Sequence, residues 1–459
     1  MDLERLVAAL EPVRVLERRD SVEVRDLAYD ARAVVPGAVF FCVPGARADG
    51  HDFAPVAVER GAVALVVERP LELQVPQLVV ADARAAMAPA ADEFFGRPTE
   101  ELEVVGVTGT SGKTTTTFLV FAILAAAGRR PGLLGTVEAR VGGERRGVVR
   151  TTPEAIDLQR LFREMLDAGD RSCAMEASSH ASVLHRLDRV RFAALVFTNL
   201  SQDHLDFHGD MESYFEAKRR LFLAEPRPPA VVNAGDAYGR RLAEELPEAV
   251  TFSINDPSPL EGVGLRLRGR FNVENALAAV AAARLLGIDD DAIRRGLESV
   301  HGVPGRFEAV DVGQPFHVIV DYSHKPAALE NVLRAAREIA DGARVICVVG
   351  AGGDRDRGKR PLMGRLAAEL ADVVIVTSDN PRSEDPEQIA VEVAAGAERE
   401  VELELDRGAA IARAVELAEA GDVVLIAGRG AEQGQELADR TIPFDDREAA
   451  KDALRKAGF

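Results

Sequence analysis

Apolar positions along the chain fall into two alternating rhythms. Short runs such as AVFFCV (38–43), AVALVVE (62–68), HVIVDY (317–322), RVICVVG (344–350), DVVIVTS (372–378) and DVVLIAG (422–428) are continuous, as strands buried on both faces require. Between them lie stretches with apolar residues at helical spacing. Residues 326–341 are the clearest, with Leu329, Val332, Leu333, Ala336 and Ile339 on one stripe. The shorter FAPVAVERG segment (53–61) reads as a helix of the first third. At ELEVVGVTGTSGKTTTT (101–117) a β-branched strand runs into a Gly-rich turn and then a helix that ends near Gly128. Strand and helix in alternation predict α/β layers with parallel-rich sheets. Boundaries are expected near residues 98 and 305, giving segments 1–98, 99–305 and 306–459. No repeat or low-complexity tract interrupts the pattern.

Composition narrows this picture. A chain of 459 residues, 47% apolar and 29% charged, is a globular protein of about three domains. Acidic residues outnumber basic ones 75 to 56, for a net charge of −19, which argues against nucleic-acid tracking and against attraction to anionic membranes. Anionic ligands must therefore be held by local arginines and backbone amides. The start, MDLERLVAALEP, lacks the basic and apolar regions of a signal peptide, and the longest apolar run, at residues 118–127, is too short to span a bilayer. A cytoplasmic protein without membrane insertion is expected. Cys42, Cys173 and Cys347 each sit in a strand-like segment and read as buried free thiols.

The sharpest local chemistry is Gly109-Thr110-Ser111-Gly112-Lys113-Thr114, followed by Thr115, between a strand and a helix. Glycines there let the backbone wrap phosphate oxygens, the helix start presents free N–H groups, Lys113 adds a point charge and Thr114 can reach Mg²⁺. The usual first Walker glycine is replaced by Val107. Triphosphate chemistry needs a divalent metal, and two downstream segments offer ligands: Glu176 in CAMEASSH and His204 in TNLSQDHLDFHGD. Asp203, His204, Asp206 and His208 read either as a metal cluster or as a solvated loop. Ser178-Ser179-His180 does not by itself make a hydrolase triad. On residue chemistry alone Lys218 is one more solvent-facing helix lysine.

In the last third, four polar segments follow four predicted strands. Asp321 and His324 follow HVIVD, GAGGDRDRGKR follows RVICVV, SDNPRSEDP follows VVIVT and GRGAEQG follows DVVLIA. Open parallel sheets bind ligands beyond the carboxyl ends of their strands, so these loops are expected to share one rim. Arg355 and Arg382 can each grip a carboxylate, Pro381 stiffens the loop carrying Arg382, and Glu432 can pair with an ammonium. The chemistry suggested is recognition of a small zwitterion.

Taken together, TGTSGKTTT, TTPE at Thr151, MEASSHA, TNLSQDHLDFHGDMESYFEAKRRLF, GRFNVENALAA, PGRFE, VDYSHKP, GGDRDRGKRPLMG and TSDNPRSEDP resemble the Mur ligases over nearly the whole chain. The resemblance implies an N-terminal domain for a UDP-sugar substrate, a central P-loop ATPase domain and a C-terminal Rossmann-like domain that brings the amino acid. It implies ATP and Mg²⁺ as cofactors, and UDP-N-acetylmuramoyl-L-Ala-D-Glu and meso-diaminopimelate as substrates of a monomer. Carried onto this chain, Gly109–Thr115 with Lys113 would hold the phosphates, and Asn275, Arg306 and Asp321 would contact the nucleotide. Thr114, Glu176, His204 and a carbamylated Lys218 would hold Mg²⁺. Ala31, Arg150, Thr151, Thr152, Ser178, Leu184 and Arg186 fall at the muramoyl-peptide site, and Arg355, Asp379, Asn380, Pro381, Arg382, Gly428 and Glu432 at the amino-acid site.

Departures from the family pattern cluster in the first of these sites. Ala31, Arg150 and Leu184 stand where Ser, Asn and Gln are usual, and GRGAE with Ala431 replaces GKGHE. Three lost side-chain hydrogen bonds cost about 1 kcal/mol each, which Arg150 facing a diphosphate or carboxylate would offset. At the other site, lysine in place of diaminopimelate is expected to leave Arg382 unpaired, a penalty of about 2–4 kcal/mol. The alternatives are a lysine-adding ligase, a P-loop kinase and a nucleotide-binding scaffold.

Overall fold

In a computed structural model of the chain, residues 1–459 other than 18, 20, 46 and 47 are described. The chain forms two compact units, one of residues 1–108, 127–197 and 216–231, the other of residues 109–126, 198–215 and 232–459.

The first unit holds two α/β layers. In the first, Asp26–Ala28, Ala38–Phe41, Ala64–Val67 and Gln77–Val79 run parallel, and Arg14–Leu16 closes the edge antiparallel to Gln77–Val79. The two middle strands are buried at every position, which explains why they read as continuous apolar runs. In the second layer Phe192–Phe197, Glu103–Thr108, Ser172–Glu176 and Pro131–Leu134 are parallel neighbours. They continue into the antiparallel strands Ala139–Val141 and Glu144–Arg146. The parallel strands of this layer end on Thr108, Leu134, Glu176 and Phe197, and open parallel sheets take ligands beyond such ends.

The second unit contains a six-stranded sheet. His317–Asp321, Val423–Ala427, Val345–Val349, Val373–Val376 and Glu402–Leu403 are parallel in that order, with Glu308–Ala309 antiparallel at one edge. The expected helix is Pro326–Ala340: proline sits in its first turn, and it ends where Asp341 turns left-handed (φ 44°). Leu329, Val332, Leu333 and Ala336 are buried and Ile339 packs beside them, as the spacing required.

Each predicted strand of the last third is present, and the helix after the Gly-rich turn is Lys113–Ala126. The three cysteines are free and buried, and burial pushes the Cys42 and Cys347 thiols up to about 12. Cys173 is pushed up as well. Among the described residues no helix is long and apolar enough to cross a membrane.

Candidate active site

The Gly-rich turn is held by the segment that follows Phe197. Asn199 accepts from the Thr110 and Ser111 amides, through its carbonyl at 2.9 Å and its Oδ1 at 3.0 Å. Thr198 donates its hydroxyl to the Ser111 carbonyl at 2.7 Å. Gly109 has φ 150°, and a Cβ there would lie 1.9 Å from Thr198 Oγ1, so the turn admits only glycine. Lys113 folds back, its Nζ donating to the carbonyls of Gly109 (2.9 Å) and Thr110 (3.1 Å). Thr198, Asn199 and Ser201, whose amide donates to Thr110 Oγ1 at 3.0 Å, were not among the expected site residues. The signal for them was available, since TNLS follows an apolar run.

Residues expected on the nucleotide side gather near the same turn. Arg306 Nη2 donates to Thr114 Oγ1 at 3.0 Å, and its guanidinium stacks on Tyr322 at 4.3 Å. Asn275 Oδ1 lies against Gly112, where a Cβ would come within 2.3 Å. Asp321 accepts the amides of Phe307 (2.7 Å) and Ser323 (2.8 Å), while burial raises its carboxyl above the usual range.

His204 is left-handed (φ 53°), and its Nε2 lies 2.8 Å from Asp203 Oδ2. Lys325 also pairs with Asp203. Burial opposes ionisation of Asp203, but the contacts with His204 and Lys325 prevail and hold its carboxyl far below the usual range. Burial lowers His204. Among the described residues no group of three His, Cys, Asp or Glu side chains forms a metal cluster, and Asp203 and His204 instead make a partly buried pair that Lys325 joins.

In the first unit, Glu176 is 1% exposed at its strand end and accepts from the Thr136 amide (2.7 Å) and hydroxyl (3.1 Å). Thr151 meets Thr136 at 3.1 Å, and Thr152 donates to the Glu176 carbonyl at 2.8 Å. Ser178 donates its amide to Thr152 Oγ1 at 3.2 Å. Arg186 reaches the Thr152 carbonyl and pairs with Glu154 at 2.7 Å. Thr151, Thr152, Ser178 and Arg186 are thus brought together around one strand end. Ala31 is buried in a turn capped by Asp30, Leu184 caps the Ser179–Val183 helix, and Arg150 is exposed. Lys218 corrects the residue-level reading: it is 1% exposed, not solvent-facing, because Met211–Phe222 turns that face inward.

The four loops of the second unit do share one rim. Arg355, Asp379, Asn380, Arg382, Gly428 and Glu432 line a cavity of about 330 Å³ together with Asp203, His204, Tyr322, Lys325 and Lys359. Asn380 Nδ2 donates to Glu432 Oε2 at 2.8 Å. Burial and the neighbouring Asp379 raise Glu432. A Cβ on Gly428 would meet Asp379 Oδ2 at 2.5 Å, so this glycine makes room for the carboxylate. Arg355 is exposed, Nη1 donating to the carbonyl of Asp354, while Pro381 precedes the left-handed Arg382 (φ 52°). The expectation that lysine would leave Arg382 unpaired is corrected by the structure. The Arg382 side chain is 24% exposed and already ion-paired with Glu436 at 2.6 Å.

Behind the rim lies a layer that the sequence did not single out. Arg407 is fully buried, forms a two-bond pair with Asp446 at 2.7 Å each, and donates to the carbonyls of Ala427 (3.0 Å) and Ser378 (3.4 Å). These carbonyls immediately precede Gly428 and Asp379. Arg360, equally buried, pairs with Glu384 (2.8 Å) and Glu392 (2.7 Å) and donates to the Gly352 carbonyl.

Comparison with known proteins gives three family matches: the Mur ligase family catalytic domain over residues 23–95, the Mur ligase middle domain over 107–262 and the Mur ligase glutamate ligase domain over 305–430. A UDP-N-acetylmuramoyl-L-alanyl-D-glutamate–2,6-diaminopimelate ligase of Solibacter usitatus is 46% identical, covering 95% of this chain and 94% of the relative. A solved structure of a ligase of that name is 30% identical with a TM-score of 0.65, covering 95% and 96% of the two chains. A MurF ligase from Thermotoga maritima, solved in complex with ADP, shares the fold at 22% identity and a TM-score of 0.62, covering 96% and 99%.

Proposed function

Because the chain belongs to the Mur ligase family, we propose that it is an ATP-dependent, ADP-forming ligase of peptidoglycan synthesis that adds meso-diaminopimelate to the D-glutamate of UDP-N-acetylmuramoyl-L-Ala-D-Glu. The observation that carries the amino-acid assignment is the rim: three strand-end loops present Asp379 and Glu432 for an ammonium and Arg355 and Arg382 for a carboxylate in one cavity, which Tyr322 and Lys325 of a fourth loop also line. The three family matches support three domains, 1–98, 99–305 and 306–459, for muramoyl peptide, ATP and amino acid.

The γ-phosphate of ATP passes to the free D-glutamate carboxylate, giving ADP and an acyl phosphate. The neutral amine of diaminopimelate attacks the acyl carbon, the C–O bond to phosphate breaks in the tetrahedral intermediate, and the departing phosphate takes up the proton that the nitrogen sheds. Lys113 and the amides of residues 109–115 hold the phosphates, so the donor is oriented and its charge is met by groups already in place. Asn275, Arg306 and Asp321 hold the nucleotide. Glu176 and Thr114 are oxygen donors of the kind Mg²⁺ prefers, His204 adds a nitrogen, and carbamylation would make Lys218 a further anionic donor. When bound, the metal neutralises phosphate charge. Thr151, Thr152, Ser178 and Arg186, with Ala31, Arg150 and Leu184 as departures, take the muramoyl peptide. Substrates built on ATP and UDP are cytoplasmic metabolites, which supports a cytoplasmic location.

The test is phosphate release with ATP, the UDP-linked dipeptide and each amino acid in turn. Turnover is expected only with the dipeptide and diaminopimelate together. Rapid hydrolysis with neither acceptor marks an unrelated ATPase, a phosphorylated stable product marks a kinase, and equal use of lysine removes the diaminopimelate assignment.

A further inference from the structure

The hairpin formed by Gly434–Glu436 and Thr441–Pro443 is fastened along the loop that carries Arg382. The Glu436 amide donates to Asn380 Oδ1 at 2.9 Å, and the Arg382 amide donates to the Glu436 carbonyl at 3.1 Å. Gln435 Nε2 donates to the Asp379 carbonyl at 2.6 Å. These bonds fix where the Glu436 side chain begins. Its carboxylate accepts from Arg382 Nε at 2.6 Å, while Arg382 Nη1 donates to the Gly353 carbonyl at 2.8 Å. The Arg382 guanidinium on the rim therefore has a carboxylate partner belonging to the protein itself, and that partner is half exposed.

We propose that Glu436 is a specificity-determining residue of the amino-acid site: it lends Arg382 the carboxylate that meso-diaminopimelate would otherwise supply, and so limits discrimination against lysine. The inference rests on the amino-acid assignment above. Selectivity is a difference between two affinities, and a ligand lacking one group is punished only when its absence strands a partner. Lysine does not strand Arg382, because the pair with Glu436 persists. Diaminopimelate meets a guanidinium whose charge is already shared and whose Nε is taken, so its carboxylate either displaces Glu436 or sits beside it, and in both cases it gains less than from an unpaired arginine because the Glu436 charge repels it.

Glu436→Gln keeps the backbone bonds and the shape while removing that charge. The experiment compares kcat/KM for diaminopimelate and lysine, by phosphate release at saturating ATP and UDP-linked dipeptide, in wild type and variant. The preference for diaminopimelate is expected to rise about three- to fivefold through a lower KM, the range of a partly exposed ion pair, with KM for ATP unchanged. In an Arg382→Ala background the same substitution should leave the preference where it was. An unchanged or smaller preference in Glu436→Gln, or a rise that persists without Arg382, overturns the role of Glu436 while leaving the amino-acid assignment intact. Failure of wild type to use diaminopimelate overturns both. Should Glu436→Gln not fold, Glu436→Asp, which withdraws the carboxylate by one methylene, is expected to move the preference in the same direction, and no movement overturns the proposal.

Discussion

The phosphate loop and the amino-acid rim are built by different means. The loop is fixed by several separate hydrogen bonds to its backbone: carbonyls and amides of residues 109–111 are laced to Thr198 and Asn199, and Lys113 closes on its own turn. The rim is fixed by charge: Arg407 on Asp446, Arg360 on two glutamates, Arg382 on Glu436 and Lys325 on Asp203. Each bond of such a cradle is worth about 1 kcal/mol, so losing one side chain leaves the others to hold the turn. A rim supported by buried ion pairs does not, because removing one partner leaves the other desolvated and alone.

That contrast is broken or sharpened by three measurements. The largest effect is expected at Arg407. Arg407→Met leaves Asp446 buried without its cation and should lower unfolding stability by about 3–5 kcal/mol. Adding Asp446→Leu should restore most of that stability but not the KM for the amino acid, since the Ser378 and Ala427 carbonyls still lack their donor. Full recovery of that KM in the double variant would reduce Arg407 to a packing element. Next comes Lys113→Ala, expected to cost roughly 3 kcal/mol of transition-state stabilisation, about a hundredfold in turnover, with the melting temperature nearly unchanged. Near-normal turnover would remove the phosphate role, and a large loss of stability would contradict the backbone account of the loop.

The smallest effect is a pH slope. His324 donates from Nδ1 to the Tyr322 carbonyl at 2.8 Å and has Lys325, Lys359 and Asp203 as charged neighbours. Burial, then the two lysines, depress its pKa well below the ordinary value, against the opposite pull of Asp203 and the Tyr322 carbonyl. Below about pH 6.5 the unfolded chain takes up a proton that the folded chain refuses, so stability is intact above that pH and falls beneath it. The contribution is at most about 1.4 kcal/mol per pH unit for this one proton. Denaturant melts of His324→Gln between pH 7 and 5 should show a flatter decline than wild type, and an identical decline would exclude His324 as its source.

The same contrast explains what the sequence could reveal. GTSGKT was legible because Gly109 has one conformational reason to exist and that reason is local. Strands such as VICVV and VVLIA were legible because burial on both faces leaves no polar position. The convergence of four loops followed from the rule for parallel sheets. The pairing of Arg382 with Glu436, 54 residues away, left no local trace, and neither did Arg407 with Asp446, 39 residues away. An arginine in the first turn of a helix and an aspartate beginning another read as ordinary surface residues. Lys218 was misjudged from its residue type for the same reason: AKRRLF announces an amphipathic helix without saying which flank is covered.

The three thiols, one in or beside each of the three parallel-rich sheets, give the molecule a built-in set of clocks. Cys42 follows Ala38–Phe41, Cys173 lies within Ser172–Glu176, and Cys347 is at the centre of Val345–Val349. None is a usable nucleophile while buried, so each is silent to an alkylating reagent until its own neighbourhood opens. Modification rates at the three positions therefore time the breathing of each layer separately in one unmutated chain, and bound nucleotide should slow only those clocks whose layers it braces.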